Sequence, residues 1–156
     1  DDLGIGVHDV AIASRSLLSE TAMDSIAKLN RAATKAVYIS VAVGSGPFDW
    51  RLLEAAGRER NTRLDYIFYY NLLYEMGIPA NVSFIPESNR NSWESHEEAF
   101  EDQLWMFQGM TGEEEEKVRA YLREHLVWVK GHWQLPYSRN YYWAVLYWTK
   151  DREIGS

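Results

Sequence analysis

From Ser16 to about Val129 the chain alternates helix-patterned stretches with stops marked by glycine or proline. That punctuation constrains the fold more than any other feature. Leu17, Leu18, Ala22, Ile26 and Leu29 recur near helical spacing and predict a helix over 16–35, capped by Ser16 or Ser19. Gly44-Ser45-Gly46-Pro47 breaks the chain, and Pro47 suits the first turn of a helix running to about Arg60. Thr62 caps the next helix with Asp65 as its capping-box partner; Leu64, Ile67, Phe68, Leu72 and Leu73 line it, and Gly77 stops it. Residues 78–92 form a connector with two prolines. Helical pattern returns over 93–108 and ends at Gly109. Thr111 with Glu114 makes a second capping box, opening a helix to about Val129 that Gly131 and Pro136 interrupt.

Two stretches resist that pattern. The β-branched content of 36–43 (Ala-Val-Tyr-Ile-Ser-Val-Ala-Val) favours a strand, while its neighbours favour a helix. Tyr141 to Trp148 is apolar enough for a buried helix or a strand. Residues 3–12 carry no typing signal. The expectation is a single domain over 1–156, mainly α, with a short strand at 36–43 as the open alternative.

The size fits one domain, and 46% hydrophobic with 25% charged residues fits a globular one. Seven Trp and ten Tyr demand a core rich in aromatic rings. The net charge of −7 without a basic cluster excludes nucleic acid as a partner and disfavours adhesion to anionic membranes. The absence of cysteine removes disulfides, Cys-zinc sites and thiol catalysis. No apolar run is long enough to span a bilayer. The chain opens on Asp1 rather than Met, as a mature or trimmed form would.

Several motifs invite chemistry. Gly44-Ser45-Gly46-Pro47 after an apolar run has the look of a nucleotide- or methyl-donor-binding turn. That reading requires a strand before it and an acidic residue ending a second parallel strand; with no second strand following, a plain helix-start loop is the stronger expectation. The run Glu113 to Glu116 opens a helix and answers its dipole rather than a metal. His8, His96, His125 and His132 lack metal-ligand spacing. Glu87 follows Pro86 in the connector, near the apolar candidates Phe84, Trp93, Trp105 and Phe107. A carboxyl beside apolar surface stays protonated and acts as a general acid.

The ordered fragments resemble lytic transglycosylases, especially the soluble-type catalytic domain of the membrane-bound D type. They are Trp50 to Arg58, Leu73-Tyr74-Glu75-Met76-Gly77-Ile78-Pro79, Phe84-Ile85-Pro86-Glu87-Ser88, Leu104-Trp105-Met106-Phe107 with Thr111-Gly112, Ala120-Tyr121-Leu122, and Gly131-His132-Trp133-Gln134-Leu135. The resemblance covers roughly 48–148, leaving 1–47 as an N-terminal helical segment. It implies a lysozyme-like helical domain that cleaves peptidoglycan glycan strands in the periplasm or at the cell surface, forming a 1,6-anhydro ring without metal or organic cofactor. By that resemblance Glu87 is the single acid/base and Ser88 helps place the sugar, while Trp105, Phe107, Gln108 and Tyr141 or Tyr142 serve the glycan groove. Glu94, which repeats the Glu-Ser dipeptide, is the fallback acid. A non-catalytic glycan-binding or interaction module on the same fold is the first alternative. An assembly protein presenting Trp143 to Trp148 as a partner patch is the second.

Overall fold

The computed structural model describes residues 6–17, 19–59 and 65–151. In chain order the elements are β1 (His8–Ser14), α1 (Ala22–Ala32), β2 (Ala33–Ala42), α2 (Trp50–Ala55), α3 (Tyr66–Glu75), β3 (Asn81–Asn89), β4 (Ser92–Trp93), α4 (His96–Glu101), α5 (Gly112–His125), β5 (Val127–Val129), β6 (His132–Gln134) and β7 (Arg139–Thr149). Short 3-10 turns lie at Ser19–Thr21 and Leu104–Met106. The chain divides into two compact units, one of Asp1–Gly46, Thr62–Pro86 and Tyr142–Ser156, the other of Pro47–Asn61 and Glu87–Tyr141.

The first unit is built on a sheet with strand order β1-β2-β7-β3. β1 and β2 are parallel and joined through α1, a β-α-β crossover; β7 runs antiparallel to β2. Asn81 reaches the backbone of Tyr147 while Ser88 bonds Asn140, so β3 and β7 run in opposite directions as well. β7 is thus a single reversed strand among three that share a direction.

Side-chain alternation sets the core. Val37, Ile39 and Val41 of β2 face the same side as their partners Trp148, Leu146 and Ala144 of β7, and all six are buried. Ile26 of α1 and Tyr69 and Leu73 of α3 complete this cluster. The indole of Trp148 donates to Asn30 Oδ1 at 2.9 Å, so the largest core side chain also ties α1 to the sheet. On the opposite face Tyr38 and Tyr147 stack in register at 5.6 Å. Gly77, at φ 71°, stops α3, and Ile78 N–H closes the helix on Leu73 O.

The second unit packs α2, α4 and α5 with the small sheet β4-β6-β5. Its core holds Leu52, Phe100, Met106, Phe107, Val118 and Leu122. Thr111 and Glu114 form the reciprocal capping box. Lys130 and Gly131, both at positive φ, make the tight turn between β5 and β6. Asp49 is buried and used twice: one oxygen caps α2 through Arg51 N–H, and the other accepts from the Tyr137 hydroxyl. Burial first, then the Tyr121 hydroxyl and the Asp49 charge, push the Tyr137 phenol far above its ordinary range.

The expected mainly helical, lysozyme-like domain is therefore corrected to an α/β fold with a mixed sheet. Residues 36–43 and 141–148 are strands because each is the other's partner, a pairing that helical neighbours in sequence conceal. The expected connector over 78–92 contains β3. Pro86 is tolerated there because β3 ends the sheet order, where a missing N–H costs no ladder bond. The helix expected over 16–35 shrinks to α1, with Thr21 rather than Ser16 or Ser19 at its N-cap. The one expected over 93–108 is a short strand, α4 and a 3-10 turn, and Ser95 caps α4. Trp143 and Trp148 are core, not an exposed partner patch. The proposed cap Thr62 and the lining residue Leu64 lie outside the described residues.

Candidate functional site: the carboxyl ends of the parallel strands

Open α/β sheets bind ligands beyond the carboxyl ends of their parallel strands, where loops are free of the ladder. In the first unit those ends are Ser14 and Arg15 after β1, and Val43 to Gly46 after β2. Arg15 has φ 56°, a left-handed conformation that costs a non-glycine residue roughly 1–2 kcal/mol. It is held there by its own N–H, which donates to Ser40 O at 3.0 Å, and its guanidinium lies 4.1 Å from the Trp143 ring centroid. Ser14 and Ser40 hydroxyls are bonded to each other at 2.9 Å across the two strands.

The β2 end turns through Gly44 and Gly46, at φ 59° and 57°. A Cβ on Gly46 would meet the Cβ of Ala42 at 2.6 Å, so this turn needs glycine for space as well as conformation. Val43 N–H donates to Tyr142 O and Gly46 N–H to Val43 O, fixing the turn against β7. The site therefore offers one exposed cation braced on an indole, beside a tight turn that admits close backbone approach.

Of the residues singled out in the sequence, Tyr142 reaches this site only through its carbonyl, which accepts from Val43 N–H, and the others lie elsewhere, with one exception. Glu87 is half-buried within β3, not on a loop, and Ser88 beside it donates to Asn140 Oδ1 at 2.7 Å. Trp105 is 53% exposed and packs against Phe48 at 5.3 Å. Phe107 is buried in the second unit's core and cannot line a groove. Gln108 is exposed, and its carbonyl accepts from Arg58. Tyr141 is half-buried on β7, and Tyr142 is half-exposed. Glu94 is exposed, 3.2 Å from His132. The exception is the Gly44–Gly46 turn, which the structure places after a strand as its chemistry requires. Its parallel neighbour precedes it in the chain instead of following. Ser14, Arg15 and Ser40 escaped notice because β1 begins in a stretch with no typing signal.

The fold defines the class of the molecule: an α/β domain with one reversed strand in an otherwise co-directional sheet. No known family profile matches the chain. It aligns over 94% of its length with a crystal structure from Bacillus halodurans C-125 described as a "putative methyltransferase", at a TM-score of 0.52 and 10% identity, covering 65% of that chain. In sequence it is 32% identical over 144 residues to an uncharacterized protein of Haemophilus influenzae, covering 92% of this chain and 53% of the relative. The chain thus spans about half the length of the curated relative it matches. The lytic transglycosylase resemblance is overturned by this fold. The fragments that carried it are dispersed over two units and two sheets, so neither peptidoglycan cleavage nor a glycan-binding module on a lysozyme-like scaffold remains. Among the described residues no helix is long and apolar enough to cross a membrane.

Proposed function

We propose that this chain forms the acceptor-binding part of a methyltransferase-type α/β domain, taking a small acceptor that carries a carboxylate or phosphate. The observation that supports it is the reversed strand β7 between β2 and β3, in a chain that aligns over nearly its whole length with the Bacillus halodurans structure. The site chemistry agrees with the acceptor side. Arg15, stacked over Trp143, places positive charge at the strand ends, which favours an anionic acceptor, and Gly44, with nothing within 4 Å of where a Cβ would stand, leaves the turn open to close approach.

The same residues do not fit a nucleoside-type sulfonium donor. Ribose hydroxyls are held by a carboxylate at a strand end, and Ser14, Arg15, Ser40, Gly44, Ser45, Gly46 and Trp143 include none. The Ser14 and Ser40 hydroxyls are engaged with each other, and the Arg15 charge repels a sulfonium. The donor site belongs to chain beyond these strands, which the Haemophilus influenzae relative has in abundance.

Isothermal titration calorimetry with S-adenosylhomocysteine, run on that relative and on this chain, tests the reading. Binding to the relative, with none to this chain alone, is the expected result. No binding to either overturns methyl transfer, and binding to this chain alone overturns the assignment of its residues to the acceptor side.

A further inference from the structure

The two edges of the first unit's sheet are built differently. β3 closes one edge with Pro86 inside the strand, a common device against further pairing. β1 ends the other edge with Val10-Ala11-Ile12-Ala13, which contains neither proline nor charge. Its one acidic residue, Asp9, sits at the start and is already matched by Lys35 at 3.0 Å. Arg15 N–H points to β2, so by strand alternation the N–H groups of Ala11 and Ala13 do too, and those of Val10, Ile12 and Ser14 point outward.

The sheet face next to that edge carries exposed apolar residues among the described ones, with the Ser14–Ser40 hydroxyl pair at its carboxyl end. Ile12 is 70% exposed, Val10 43% and Tyr38 37%, and register places Ile12 beside Tyr38. Parallel strands with apolar residues on both faces belong to sheets covered on both faces. A second copy of this chain pairing edge to edge would satisfy the outward N–H groups but leave Ile12 and Tyr38 in water. A strand with its own helix satisfies both.

We infer that the β1 edge is a docking surface for a further β-α half of the sheet, whose strand runs parallel to β1 and whose helix covers Val10, Ile12 and Tyr38. The Haemophilus influenzae relative carries about as much chain again outside its match, enough length for such an occupant. The inference shares the fold comparison behind the methyl-transfer reading but not its chemistry.

Residue-resolved amide hydrogen exchange on this chain and on the intact relative tests it, with the mass of each in solution. This chain alone should have the mass of a monomer, and its Ile12 and Ser14 amides should exchange about 100-fold or more faster than those of Ala11 and Ala13, a gap typical of open edge against paired ladder. In the relative, the amides of the matching strand should all be slow. Fast alternate amides in the relative would overturn the inference, because that strand would be an edge there too. A dimer of this chain with Ile12 protected would also overturn it, by making a second copy the occupant. Slow amides in a relative that binds no S-adenosylhomocysteine would keep the docking surface and sink methyl transfer alone.

Discussion

The guanidinium of Arg15 lies 4.1 Å from the ring centroid of Trp143, joining the residue after β1 to a strand contributed from the far end of the chain. The contact braces a cation at the end of β1, where Arg15 is held at φ 56°. Cation and backbone are separable by substitution. Arg15→Gly relieves the left-handed cost while Arg15→Ala keeps most of it, and both lose the indole contact. Thermal denaturation should rank the glycine variant above the alanine variant by about 1 kcal/mol. Equal stabilities would mean that the backbone there relaxes freely.

The two glycines of the β2 turn should differ in a measurable way. Gly44→Ala meets only the conformational cost, roughly 1 kcal/mol, because nothing lies within 4 Å of its added Cβ. Gly46→Ala adds a clash with Ala42 and should cost about 2–4 kcal/mol in urea unfolding.

Aromatic residues of similar sequence appearance should separate by environment. Trp148 is 2% exposed within the first core, and Trp148→Ala should cost about 3–5 kcal/mol. Trp105 is half-exposed against Phe48, and Trp105→Ala should cost about 0.5–1.5 kcal/mol. The pair of unfolding curves decides whether the exposed ring is structural.

Acid stability of the second unit should depend on Glu114. Its bond to Arg58 at 2.6 Å, and next the backbone N–H of Thr111, lower its carboxyl to about 2. A depressed folded-state value means the stabilisation is fully present above the ordinary glutamate range and is lost as pH falls from about 4.5 towards 2. The melting temperature should therefore drop on going from pH 7 to pH 3, and Glu114→Gln should reduce that drop. An unchanged drop in the variant would place the acid sensitivity in another carboxylate.

Local chemistry was legible where one turn of chain contains both partners. Thr111 and Glu114 cap a helix through bonds spanning three residues, and Gly77 stops α3 because a left-handed residue ends a helix wherever it stands. The Gly44–Gly46 break was legible for the same reason. Strand identity was not. Residues 36–43 and 141–148 are apolar runs of ambiguous period, and each becomes a strand only through a partner distant in sequence. Motif order misled for a related reason: Glu87, Phe107 and Tyr142 follow one another in the chain, yet occupy a strand, a buried core and an exposed strand position. By itself the sequence determined the Thr111–Glu114 cap, the glycine turns at Gly44–Gly46 and Gly77 and the absence of thiol chemistry, all interactions of short range or of composition. Tertiary structure alone decided that β7 reverses within a co-directional sheet, that Arg15 meets Trp143, and that β1 leaves an apolar edge open, because each depends on side chains and backbones that the chain brings together only by folding.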